Sequence, residues 1–281
     1  MPQIFARGSN ALGRMIPVLA AVLLISLGGV LYLLQSSPWV TRQGQRPDQP
    51  TPFSHKHHVQ GLGLQCEYCH ATAETSSYAG IPPTKVCMNC HAQLWTNANL
   101  LQPVRSSWAS GQSLVWIKVH DLPDFVYFNH EIHVNKGIGC ASCHGRVDQM
   151  PLVYAQNTLQ MEWCLDCHRN TAKNLRPVSE IYNLAWEKPT ADRPVWCAVG
   201  DEKDSVPTAQ SVNCVTHEPV QAEQVSLEMP ATGISSTEAR SRNTFPKYEK
   251  FTTQDRLGEF LAKHYRIRTQ RELISCEVCH R

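Results

Sequence analysis

The chain has 281 residues, enough for one large or two modest domains. A formal charge of +2 offers no basic surplus, so no nucleic-acid partner is expected. Apolar residues reach 42%, but the N-terminus takes a large share of them and 18 prolines interrupt the rest; such a chain needs something besides side chains to fill its centre.

The first element is an apolar run. Met15 to Leu34, "MIPVLAAVLLISLGGVLYLL", carries no charge, and twenty helical residues span about 30 Å, the thickness of a bilayer's hydrocarbon core. Arg7 and Arg14 precede it and the next charge is Arg42. This asymmetry places residues 1–14 in the cytoplasm and the chain beyond the span outside. A cleaved signal peptide would have a shorter apolar region of about 7–15 residues and a small-x-small site, whereas this run leaves through "LQSSPW". Residues 15–35 are therefore predicted to be a single-pass anchor in a bacterial cytoplasmic membrane, with the rest on the periplasmic side. Residues 36–52, polar and proline-rich, read as a linker.

Residues 53–170 contain a repeat. "FSHKHHVQGLGLQCEYCH" begins at Phe53 and "FNHEIHVNKGIGCASCH" at Phe128. Ten of the twelve cysteines fall in five Cys-x-x-Cys-His motifs: Cys66-Cys69-His70, Cys87-Cys90-His91, Cys140-Cys143-His144, Cys164-Cys167-His168 and Cys276-Cys279-His280. In this motif two thiols add across the two vinyl groups of a haem and the next histidine coordinates the iron. Four-sulfur zinc sites and disulfides place no demand on the residue after the second cysteine, yet all five motifs have a histidine there. Five covalently bound haem c groups are expected.

Eight further histidines remain, and some are expected on the open faces of the irons. Aligned on phenylalanine, His55 matches His130 and His58 matches His133, while His57 falls opposite Ile132. Positions i and i+3 share a helical face, so each pair can reach two adjacent haems. Each repeat continues to a second motif, giving four haems and four distal ligands. For the fifth, His120 is the first choice. Its rivals are His264, on a face with Leu257, Phe260 and Leu261 behind a possible threonine cap, and the thioethers Met150 and Met161.

Residues 171–281 hold the fifth motif and a long haem-free excursion that includes "QVSLEMPATGISSTEARSRNT". Such an excursion is disordered or laid across a partner. Cys197 and Cys214 lie outside any motif and are candidates for a disulfide in an oxidising compartment. The expected fold is mainly α with much irregular structure: a multihaem c-type cytochrome with a haem-packed core, plus one N-terminal transmembrane helix.

Irons filled on both sides by protein gain and lose electrons only, so the chain reads as a wire, not catalytic alone. The anchor points to quinol as the electron source. "FSHKHHV", "VHDLPDFVYFNHEIHVNKGIGCASCH" and "MEWCLDCHR", with one anchor and five motifs, resemble the pentahaem cytochrome c subunit of alternative complex III, a quinol:electron-acceptor oxidoreductase. The resemblance covers about residues 10–170 and the final motif. It implies a complex with an iron–sulfur protein, polytopic quinol-binding subunits and a monohaem cytochrome c, delivering electrons to a soluble acceptor such as a cytochrome c or cupredoxin. It also implies iron ligation by His55, His58, His130, His133 and His120. The alternative is a membrane-anchored multihaem quinol dehydrogenase feeding a periplasmic reductase. In that family a methionine follows the first motif by two residues, where this chain has Thr72.

Overall fold

The computed structural model describes residue 6, residues 8–199, 212–216 and 247–280. The segment "QVSLEMPATGISSTEARSRNT" lies outside the described residues. The fold is helical with long irregular connections, and an apolar helix stands at the N-terminus.

Helix α1 (Ser9–Ser36) extends the apolar run at both ends and buries none of its residues against the chain. Its length and composition are sufficient to cross a membrane. It stops because Ser37 precedes a proline and adopts extended backbone, with ψ 156°. A short turn, α2 (Pro38–Thr41), follows. The chain then doubles back on a later segment. Gly44 N–H donates to Ala155 O at 2.9 Å, and the Gln160 amide donates to Gln35 O at 2.8 Å.

The two repeats build parallel sets of short elements. The first has a π-helical turn at Lys56–Gly61, then α3 (Cys66–Cys69), α4 (Thr84–His91) and α5 (Gln102–Ser110). The second has α6 (His130–Asn135), α7 (Cys140–His144) and α8 (Met161–Arg169). The residue after each repeat's phenylalanine starts its turn. The Asn129 side chain accepts from Ile132 N–H at 3.2 Å, and Ser54 Oγ accepts from His57 N–H at 3.2 Å; both satisfy a donor that a helix start leaves open. The first turn is thus wider than the α-turn that i, i+3 spacing predicts, because six residues continue as a π-helix before Leu62.

Beyond residue 170 the architecture changes. Strands β1 (Val195–Val199), β2 (Cys214–Val215) and β3 (Lys247–Phe251) form an antiparallel sheet in the order β2-β1-β3, with Cys197 opposite both Cys214 and Glu249. Helix α9 (Gln254–His264) packs on the sheet, followed by α10 (Gln270–Leu273) and α11 (Cys276–Cys279). Thr253 stands at the N-cap of α9 without a side-chain bond. Leu175, Val195, Val212, Phe251, Leu257, Leu261 and Tyr265 form an aliphatic and aromatic core. Cys197 and Cys214 are joined by a disulfide inside it. Gly258 lets α9 approach residues 171–173, since a Cβ there would run into the Ala172 carbonyl. This sheet and its side-chain core are additions to the haem-packed interior expected from sequence.

Candidate functional site

Each Cys-x-x-Cys-His motif forms one helical turn. The residue before the first cysteine of three motifs, at Gln65, Gly139 and Ser275 ahead of α3, α7 and α11, is extended, with ψ 145–146°. The turn then puts the two cysteines, i and i+3, on one face. The histidine closes it: His70 N–H donates to Cys66 O at 2.9 Å and His280 N–H to Cys276 O at 2.8 Å.

The histidines of the repeats come together in four pairs. His55 faces His70 with ring centroids 6.5 Å apart, and His58 faces His91 at 6.2 Å. His130 faces His144 at 6.3 Å, and His133 faces His168 at 6.2 Å. Two imidazoles on opposite sides of one metal lie at about this spacing, since each metal–nitrogen bond is about 2 Å and each ring centre lies about 1 Å further out. The donor set therefore fits a six-coordinate haem iron at each pair.

The outer nitrogens are arranged for the same purpose. His58 Nδ1 bonds Ser54 O at 2.8 Å and His133 Nδ1 bonds Asn129 O at 2.7 Å. His70 uses Gly80 O, His91 Leu94 O, His130 Ser77 O and His168 Leu273 O, at 2.7, 3.1, 3.2 and 2.9 Å. A carbonyl at Nδ1 fixes the proton there and leaves Nε2 as the lone-pair donor, the arrangement that metal-ligating histidines use. Phe53 stacks on His58 at 4.3 Å and Phe128 on His133 at 4.6 Å, which fixes ring orientation. Sequence alignment used these phenylalanines only as markers; their contact role was signalled by their fixed position five residues before the second histidine.

Burial favours the neutral form of His55, His58, His130, His133 and His144, as metal ligation requires. It lowers His55 to about 4, aided by His70 and His58. It lowers His144 to about 3, aided by His120 and His130. His55 Nδ1 is buried without a partner.

The other candidates stand elsewhere. His120 lies edge-on to His144 at 4.4 Å, with its Nε2 buried and unbonded. His264 packs on Phe260, tilted by 34° with ring centroids 4.0 Å apart, and bonds the Phe260 carbonyl through Nδ1 at 2.7 Å. Met150 is buried, and Met161 opens α8 on the surface. The ring beside His280 is Phe125, at 5.8 Å, and His280 Nδ1 bonds Phe125 O at 2.9 Å. Among the described residues no imidazole faces His280 at the spacing of the four pairs. Arg176, which sequence reading passed over, is buried beside the third motif. It bonds Ser142 Oγ and Asn183 O and stacks on Trp186.

Comparison with known proteins agrees with this chemistry. A family model described as cytochrome c7 and related cytochrome c matches residues 126–217. A relative from Nitratidesulfovibrio vulgaris, "Menaquinone reductase, multiheme cytochrome c subunit", is 32% identical over 144 residues, covering 44% of this chain and 69% of the relative. The chain belongs to the multihaem cytochromes c. Membership of that family implies covalently bound haem c. The matched region contains the second repeat and ends past Cys214, so it joins the motif turns to part of the sheet.

Proposed function

We propose that this multihaem cytochrome carries five haems c and is the electron-transfer subunit of a membrane quinol:electron-acceptor oxidoreductase of the alternative complex III type. The four imidazole pairs at 6.2–6.5 Å carry the reading. A haem with imidazole on both faces supplies one-electron exchange and has no open position for substrate. The proximal ligands are His70, His91, His144, His168 and His280. The distal ligands are His55, His58, His130 and His133 in the pairs described. The carbonyls at Nδ1 hold His58, His70, His91, His130, His133, His168 and His280 so that little reorganisation accompanies a change of charge at Nε2.

Residues 15–35 anchor the chain with its N-terminus inside, residues 36–52 link, 53–170 hold four haems and 171–281 the fifth. The partners are an iron–sulfur protein, polytopic quinol-binding subunits, a monohaem cytochrome c and a soluble acceptor. The name of the N. vulgaris relative favours a second reading, in which electrons run from a periplasmic donor to menaquinone.

The purified complex separates the two. Oxidation of a quinol with reduction of cytochrome c or a cupredoxin supports the first; menaquinone reduction without that activity supports the second. Mass spectrometry finding fewer than five attached haems, or strong carbon monoxide binding by several reduced haems, would sink the wire itself.

A further inference from the structure

The motif turns are bonded to one another in a sequence that differs from their order along the chain. Within the first repeat, His55 and His58 share one turn and face His70 and His91. The Asn89 amide, inside the second motif, donates to Tyr68 Oη, inside the first, at 3.0 Å. Within the second repeat, His130 and His133 of α6 face His144 and His168. The Asn157 amide, ahead of the fourth motif, donates to Ser142 O and Cys143 O of the third at 3.1 and 2.9 Å.

Between repeats, one loop serves the first and third motifs. Gly80 O accepts from His70, and Ser77 O accepts from His130, the ring opposite His144. Backbone bonds from His130 and Glu131 to Ser77 and Ser76 fasten the same junction. The fifth motif joins at the other side: Leu273 O, in the turn leading into Cys276, accepts from His168 of the fourth, while Cys279 O accepts from Tyr127 N–H at 2.8 Å and His280 Nδ1 bonds Phe125 O, ahead of α6.

Exposure follows the same sequence. Of the ten motif cysteines, Cys90 and Cys276 are exposed and the other eight are half-buried.

We infer that the five haem sites form one unbranched row in the order second, first, third, fourth, fifth motif, and that its two ends, at Cys90 and Cys276, are where redox proteins reach this chain. The inference rests on the five motifs being haem sites, as proposed above. The Gln160–Gln35 bond sets the anchor beside the fourth site. The fifth-motif end is thus one site from the anchor and the second-motif end is three.

The test uses the full holoprotein in its complex. Mass spectrometry counts attached haems; fewer than five overturns the functional reading and the row with it. With five attached, cryo-electron microscopy locates the irons, and only the row is at stake. The expected map gives the first, third and fourth irons two close neighbours each, and the second and fifth one each. An iron with three close neighbours, or a second iron nearest the third or fifth, overturns the row. The ends are read separately on the full holoprotein released from its partner subunits, by electron paramagnetic resonance with a soluble dysprosium chelate, which should shorten the spin relaxation of two haems. His58→Met alters the signal of the second-motif haem and should alter one of those two. Equal relaxation of all five, or enhancement of a pair that His58→Met leaves unchanged, overturns the assignment of the ends.

Discussion

Residues 53–170 and residues 171–267 are held together by different means. The largest fully buried side chains, Tyr265, Phe251, Leu175, Ile181, Leu257, Leu261, Pro177 and Cys197, all belong to the second region. The first keeps only a few small or scattered residues out of solvent, among them Ala73, Val104, Val134 and Met150. It has turns, caps and paired imidazoles in place of interlocking aliphatic groups. One region is a conventional core of sheet and helix; the other is a shell of short turns shaped for a cofactor. A chain of this size can use both, because covalent attachment supplies buried apolar area that side chains do not.

The largest effect should come from withholding haem. Expressed without a cytochrome c maturation system, residues 53–170 should be cut rapidly by protease while the fragment spanning 175–265 persists; equal protection of both regions would break the comparison. Next, Leu261→Ala should cost the second region about 2–5 kcal/mol by leaving a cavity in a fully buried site. Denaturant unfolding followed by tryptophan fluorescence should show it, with the low-spin haem spectrum unchanged at low denaturant. Removing the disulfide with Cys197→Ser and Cys214→Ser should cost about 3 kcal/mol in the same assay, for a sequence separation of 17.

Acid should act on the first region instead. The folded values of His55 and His144, about 4 and about 3, lie below the ordinary 6.5 of an unfolded histidine. The unfolded chain therefore binds protons between those values that the folded chain does not. Stability from this source should be flat above about pH 6.5 and fall below it, by up to about 1.4 kcal/mol per pH unit per group. Circular dichroism of the haem bands against pH measures it. The smallest effect sharpens the role of the repeat: Asn129→Ala removes the α6 cap and should cost about 1 kcal/mol, seen as a lower melting temperature in the haem bands.

The first region was largely legible in the sequence, because its chemistry is local. A Cys-x-x-Cys-His turn needs five consecutive residues, and the i, i+3 histidines declare themselves when two copies are laid side by side. His120, the first choice for the fifth distal ligand, lies edge-on to His144 instead. Its contact with His144 joins positions 24 residues apart, and the stretch from 120 to 129 has no periodicity to follow. The second region was nearly silent. Its strands are two to five residues long, and β1 pairs with a strand more than forty residues away across Pro- and Ser-rich sequence. "VWCAV" has the composition of a strand, but nothing local says which segment completes its sheet. Only the two stray cysteines hinted at the pairing, since both sit in its register.

The loop from Ser77 to Gly80 has a consequence for electronics. A carbonyl at Nδ1 makes an imidazole a stronger base and so favours the oxidised metal on its other nitrogen. Gly80 has φ +81°, and a Cβ there would press on the Thr72 hydroxyl. On the proposed ligation, a bulky replacement should shift both carbonyls of the loop at once, gearing together the midpoint potentials of the irons at His70 and His130, so that a single change in this loop would retune two neighbouring stations.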